Sequence, residues 1–132
     1  MGQLFGTVVL VIGGLFFLLT TWSSASAPGQ FAAKLGLAIT DAGGLNEIRA
    51  QYAGFFLAAA LVCGAALASW VPRQAALLVM IVIFGGLIAG RLASVALDGG
   101  IAGYGATIRA LYVIDAVGLA LAIAALVFSA SR

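Results

Sequence analysis

Apolar residues along this chain gather into four long runs, and most polar positions fall between them. The runs cover residues 4–22, 46–70, 75–97 and 108–128. A helix needs about 20 predominantly apolar residues to cross a bilayer's hydrocarbon core. In lipid the backbone must satisfy its own hydrogen bonds, which a helix does within one segment. The pattern therefore predicts an all-α chain with four transmembrane helices. "VPRQ" separates the second run from the third, where Pro72 cannot continue a helical ladder, and the glycine-rich "DGGIAGYGAT" separates the third from the fourth. Connections this short force neighbouring helices antiparallel. The expected architecture is an integral membrane four-helix up-down-up-down bundle, one domain over 1–132.

The one long connection is "SSASAPGQFAAKLGLAITDAGG". Phe31, Leu35 and Ile39 recur four apart, which predicts a short amphipathic helix over 30–40, lying in the interface between helices 1 and 2. It is either a lid over what lies beneath or an apolar linker. Ala25-Ser26-Ala27 resembles a signal-peptide cleavage site. The preceding apolar run is too long, no Lys or Arg precedes it, and Pro28 follows directly, so a retained helix is expected. The pairs Gly86 with Gly90, Ala60 with Gly64 and Ala116 with Ala120 have the spacing that lets membrane helices approach closely. Trp22 and Trp70 are expected at opposite faces of the membrane.

Composition strengthens this reading and removes several chemistries. Hydrophobic residues make up 64% of the chain and charged residues 8%, and the mean hydropathy is +1.24. Soluble domains carry about a quarter charged residues. A net charge of +2 without a basic run points away from nucleic acid. The absence of histidine removes the commonest metal ligand and proton shuttle, and Cys63 stands alone in an apolar run, so neither a metal nor another cofactor is expected.

The few charges are unevenly placed. Following the chain through the predicted spans, Glu47, Arg49, Arg91, Asp98, Arg109 and Asp115 all fall on the side of the long connection. Arg73 and Arg132 fall on the other side, and Lys34 and Asp41 lie in the connection itself. At 1.5 Å per residue, Arg91 lies roughly 10 Å in from Asp98, and Asp115 roughly 9 Å beyond Arg109. Charges at that depth are costly unless paired or wet. The two helices carrying them run antiparallel in this scheme, which predicts an Arg91–Asp115 pair. Glu47 is expected to suit the start of helix 2 behind an Asn46 cap. Arg49, about 200° around the axis from Glu47, either snorkels to headgroups or joins the cluster. Tyr52 shares its face.

These residues carry a family resemblance. "GLNEIRAQYAGF" and "GRLASVALDG", with an acid early in the last helix, resemble the signatures of a bacterial domain-of-unknown-function family of small four-helix membrane proteins. The resemblance covers nearly the whole chain and rests on Glu47, Arg49, Tyr52, Gly90, Arg91, Asp98, Gly99 and Asp115. Ala53 stands where the family has glycine, and Asp115 where it tends to have glutamate. The resemblance implies the fold and a bacterial cytoplasmic membrane, with no established activity.

Two functional classes follow. One is a non-enzymatic binding or accessory subunit whose cluster of Glu47, Arg49, Tyr52, Arg91, Asp98, Arg109 and Asp115 seats a lipid headgroup or small amphiphile. Its partners are membrane lipids, and a larger membrane complex or a homo-oligomer fits as well. The other is a membrane enzyme or carrier using Glu47 or Asp115 as acid or base. The absent histidine and the charge-neutral cluster favour the first. A purely structural ion-paired plug would need no ligand at all; a roomy cavity beneath the charges separates binding from plug. If the arginines on the connection side are all paired, the positive-inside rule puts both termini in the cytoplasm.

Overall fold

The structure is a computed structural model and describes residues 2–130. It is all-helical, with α1 Gly2–Ser26, α2 Pro28–Lys34, α3 Ala42–Leu67, α4 Arg73–Asp98 and α5 Ala106–Ala130. All but α2 are long and apolar enough to cross a membrane. Arg132, counted above on the face opposite the connection, lies outside the described residues.

α1 touches every other long helix, most closely α3 and then α5, while α4 packs along α5. Its buried residues Gly6, Val9, Leu10, Gly13 and Phe17 recur at three and four, one face of a helix. On its other side Leu4, Val8, Ile12, Leu15 and Leu19 are exposed, an apolar surface suited to lipid. Apolar helices of this kind are held by close van der Waals fit where small residues let them approach. Glycines are among the residues that provide it. A Cβ on Gly13 would stand 2.3 Å from Met80 Cε, and one on Gly118 would stand 2.7 Å from the Phe84 ring. Of the small-residue pairs expected from spacing only Ala60 is buried in the core: Gly64, Gly86 and Gly90 face open space, and Ala116 and Ala120 are exposed.

The ends of the long helices sort into two groups. Gly2, Gln3, Gly6, Trp70, Arg73 and Ser129 line one hollow, and Phe5 meets Phe128 edge-on at 5.9 Å. Residues from the far halves of α1 and α4 and the near halves of α3 and α5 gather at the opposite end, with α2. Trp22 and Trp70 fall at these opposite ends, both well exposed.

Helix boundaries differ from the sequence reading in three places, each for a local reason. α2 is Pro28–Lys34, not 30–40, because Gly36 turns the chain out at φ +77°; Ile39 is therefore off the helix and rests against Gly44. α3 starts at Ala42, capped by Asp41, whose Oδ1 accepts from the Gly44 N–H at 2.9 Å. Asn46 is therefore inside the helix, and Glu47 lies beyond the first turn, where the dipole would have favoured it. α3 stops at Leu67, before Pro72 can act: Ser69 takes a left-handed conformation, φ +62°, and the Trp70 N–H donates back to the Ala65 carbonyl.

Candidate functional site

A cavity of about 830 Å³ opens at the α2 end of the molecule. The helix type changes locally along one of its walls. Residues Arg49–Gly54 of α3 form a π-helical segment, in which the Phe55 N–H reaches back five residues to the Ala50 carbonyl. One residue more per turn shifts the face that follows, and π segments recur at functional sites. The loosened ladder is steadied from outside by Thr21 Oγ1, which donates to the Ala53 carbonyl at 3.3 Å. This first half of α3 packs on α1 and α2, whereas α4 packs on the second half, Phe55–Leu67. The gap left between them is the cavity.

Its walls are apolar: Phe16, Phe31, Leu35, Phe55, Leu87 and Leu111 contribute. An aromatic series supports one side, from Phe84 through Phe17, Phe56 and Tyr52 to Phe31 of α2, with ring centroids 5.0–6.5 Å apart. α2 thus covers the cavity, held to α3 by the edge-on contact of Phe31 with Tyr52. A serine- and threonine-rich end of α1 also lines it. Thr20 and Ser23 return their hydroxyls to their own helix, donating to the carbonyls of Phe16 and Leu19 at 3.0 and 2.9 Å.

The charged floor is the Arg91–Asp115 pair. Arg91 Nε donates to Asp115 Oδ2 at 2.6 Å, with the carboxylate side chain 2% exposed and the arginine 18%. It is the only ion pair among the described residues. A second grip comes from Tyr112, whose hydroxyl donates to the Arg91 carbonyl at 2.8 Å and whose ring centre lies 5.5 Å from Arg91 Cζ. Tyr112 is in turn stacked on Tyr104 of the α4–α5 connection, and the Tyr104 hydroxyl donates to Asp98 Oδ2. That bond, first among several causes, pushes the Tyr104 phenol up to about 12.

Of the seven residues expected to form one cluster, the structure brings Tyr52, Arg91 and Asp115 to the cavity. Asp98 is drawn away to Tyr104. Glu47, Arg49 and Arg109 are exposed and make no ion pair among the described residues. Glu47 and Arg49 sit before or within the π segment on an outward face, and Arg109 lies in the first turn of α5. Sequence reasoning passed over Lys34, Gln30, Gln51 and Thr107, which all line the cavity. The run "TTWSSAS" was the available signal: so many hydroxyls at the end of an apolar helix suit a polar chamber. No group of acidic or cysteine side chains among the described residues could hold a metal ion.

No family model, curated protein or solved structure matches the chain.

Proposed function

We propose that this is a small multi-pass membrane protein, without catalytic activity of its own, that binds an amphiphile or lipid headgroup in the cavity at its α2 end, as a free-standing binder or as a subunit of a larger membrane assembly. One observation carries the reading. Arg91 and Asp115 do not fill the bundle as a plug; they floor an open cavity of about 830 Å³ with apolar walls and an aromatic cover. A ligand site of this size, mostly apolar with a few convergent polar groups, is the usual form of a small-molecule pocket. Acid–base chemistry is less well supported, because Glu47 is exposed outside the cavity and Asp115 is engaged by Arg91.

Within this reading the long helices cross the membrane up-down-up-down, which the sorting of their ends into two groups supports. Assignment to a bacterial cytoplasmic membrane, and to the domain-of-unknown-function family, rests on the motifs around Glu47, Arg91, Asp98 and Asp115. The structure alters the premise for orientation. Among the described residues only Arg91 is paired, so Lys34, Arg49 and Arg109 all count as free charge at the cavity end, against Arg73 at the other. The positive-inside rule then favours a cavity facing the cytoplasm.

Native mass spectrometry of the full chain released from mild detergent tests the binding reading. The expected spectrum has a bound amphiphile that survives gentle activation and is lost when Leu111→Trp fills the cavity. A spectrum of bare protein, or an adduct indifferent to Leu111→Trp, would overturn it.

A further inference from the structure

The chemistry of the cavity floor specifies its ligand further, on the basis of the binding function proposed above. A guanidinium has five N–H donors in a planar fork. Arg91 spends one of them, on Nε, to hold Asp115. The four on its terminal nitrogens have no hydrogen-bond partner among the described residues, yet Arg91 lines the cavity. Tyr112 and Asp115 fix the side chain from two sides, so the remaining edge of the fork is presented in a set direction. Such an edge matches two oxygens of a carboxylate or phosphate.

Charge agrees with geometry. The charged residues of the lining are Lys34, Arg91 and Asp115, which leaves one positive charge in excess. Lys34 ends α2, the cover, and is exposed and free to swing towards an anion beneath it. A second feature provides for a hydrocarbon tail. Phe55 borders this cavity and also a separate apolar groove of about 400 Å³ between α3 and α4, lined by Ala58, Val62, Leu78 and Val82. The groove shares Phe55 with the cavity and is otherwise lined by apolar side chains, as a hydrocarbon chain would require.

We propose that the ligand is an anionic amphiphile: its oxyanion headgroup sits on the terminal nitrogens of Arg91 with Lys34 closing over it, and its hydrocarbon chain passes Phe55 into the α3–α4 groove. The shared chemistry is a singly charged oxyanion on an alkyl chain, which a free fatty acid or an anionic phospholipid can supply.

Trp22 borders the cavity and Trp70 lies at the far end, so tryptophan quenching separates binding from micelle partition. In purified full-length Trp70→Phe protein, a fatty acid brominated beside its carboxyl should quench Trp22 saturably. The matched bromo-alcohol should need at least about tenfold more ligand, since a charge-assisted contact is worth that much. Trp22→Phe protein should show only shallow, unsaturable quenching from partition. Anionic phospholipid should compete with the bromo-acid if it is the source, while inorganic phosphate alone should not. Lys34→Gln, at an exposed position, should narrow the acid-over-alcohol preference several-fold without unfolding the chain. Arg91→Gln combined with Asp115→Asn, which strands neither member of the pair, should remove most of the preference and leave only the share that Lys34 contributes. Equal binding of acid and alcohol would overturn the anionic headgroup while leaving the binding function intact. Full displacement by inorganic phosphate would overturn the role of the chain. Saturable binding of neither amphiphile would overturn this inference and the binding function together.

Discussion

At the scale of single residues, Arg91 and Asp115 form the charged end of the cavity. The carboxylate is almost wholly buried in an apolar bundle and has one cationic partner at 2.6 Å. Removing either partner strands the other's charge where lipid or protein surrounds it. Arg91→Ala or Asp115→Ala should therefore cost about 3–5 kcal/mol of stability. The double substitution should recover a good part of that loss, because no lone charge remains. Unfolding of all four proteins in mixed micelles measures the coupling, and strictly additive losses would refute the pairing. This pair was legible in the sequence, since two charges at matching depth on neighbouring helices leave few other solutions. The fate of Glu47, Arg49 and Arg109 was not. Glu47 was read at the start of a helix that in fact begins earlier, at Ala42, and which way a side chain faces depends on rotation about the axis, which the π segment changes part-way along α3.

At the scale of elements, hydropathy located all four long helices, because twenty apolar residues in a row admit almost no other structure in lipid. Their ends were decided by chemistry too local for hydropathy to see. Asp41 was grouped with the connection, yet it caps α3, and Ser69 ends that helix in a conformation usually left to glycine. A left-handed conformation puts the Cβ of a serine against the neighbouring carbonyl, a cost of roughly 1 kcal/mol. Ser69→Gly should consequently raise stability by about that amount, less what the unfolded chain gains in freedom. Unfolding midpoints of the two proteins would show it, and a clear loss of stability would mean that the Ser69 turn is not as described. Small-residue spacing proved a poor guide to packing. Gly13 and Gly118 belong to none of the paired motifs, and what singles them out is a large side chain on the facing helix, Met80 or Phe84.

At the scale of the whole molecule, the π segment, the cover helix and the charged floor form one device. The π segment lies where α3 is not packed on α4, the space between them is the cavity, and Arg91 with Asp115 gives that cavity a polar end. None of that arrangement shows in the hydropathy profile, although the charges that mark its floor do. The orientation in the membrane is testable through Gln30, exposed at the cavity rim, because Cys63 is buried and silent. A Gln30→Cys protein in intact cells should resist an impermeant thiol reagent and react once the cells are opened. Labelling of intact cells would place the cavity outside.

The central claim is that the cavity, rather than the lipid-facing surface at large, holds an amphiphile. Photo-cross-linking with a diazirine-bearing fatty acid, followed by peptide mapping of the full chain, tests it most directly. The account predicts adducts concentrated on Phe31, Leu35, Phe55, Leu87 and Leu111, with few on exposed outward positions such as Leu4, Leu61 and Val127. Adducts spread evenly over the exposed apolar residues, with the cavity residues unmarked, would contradict it.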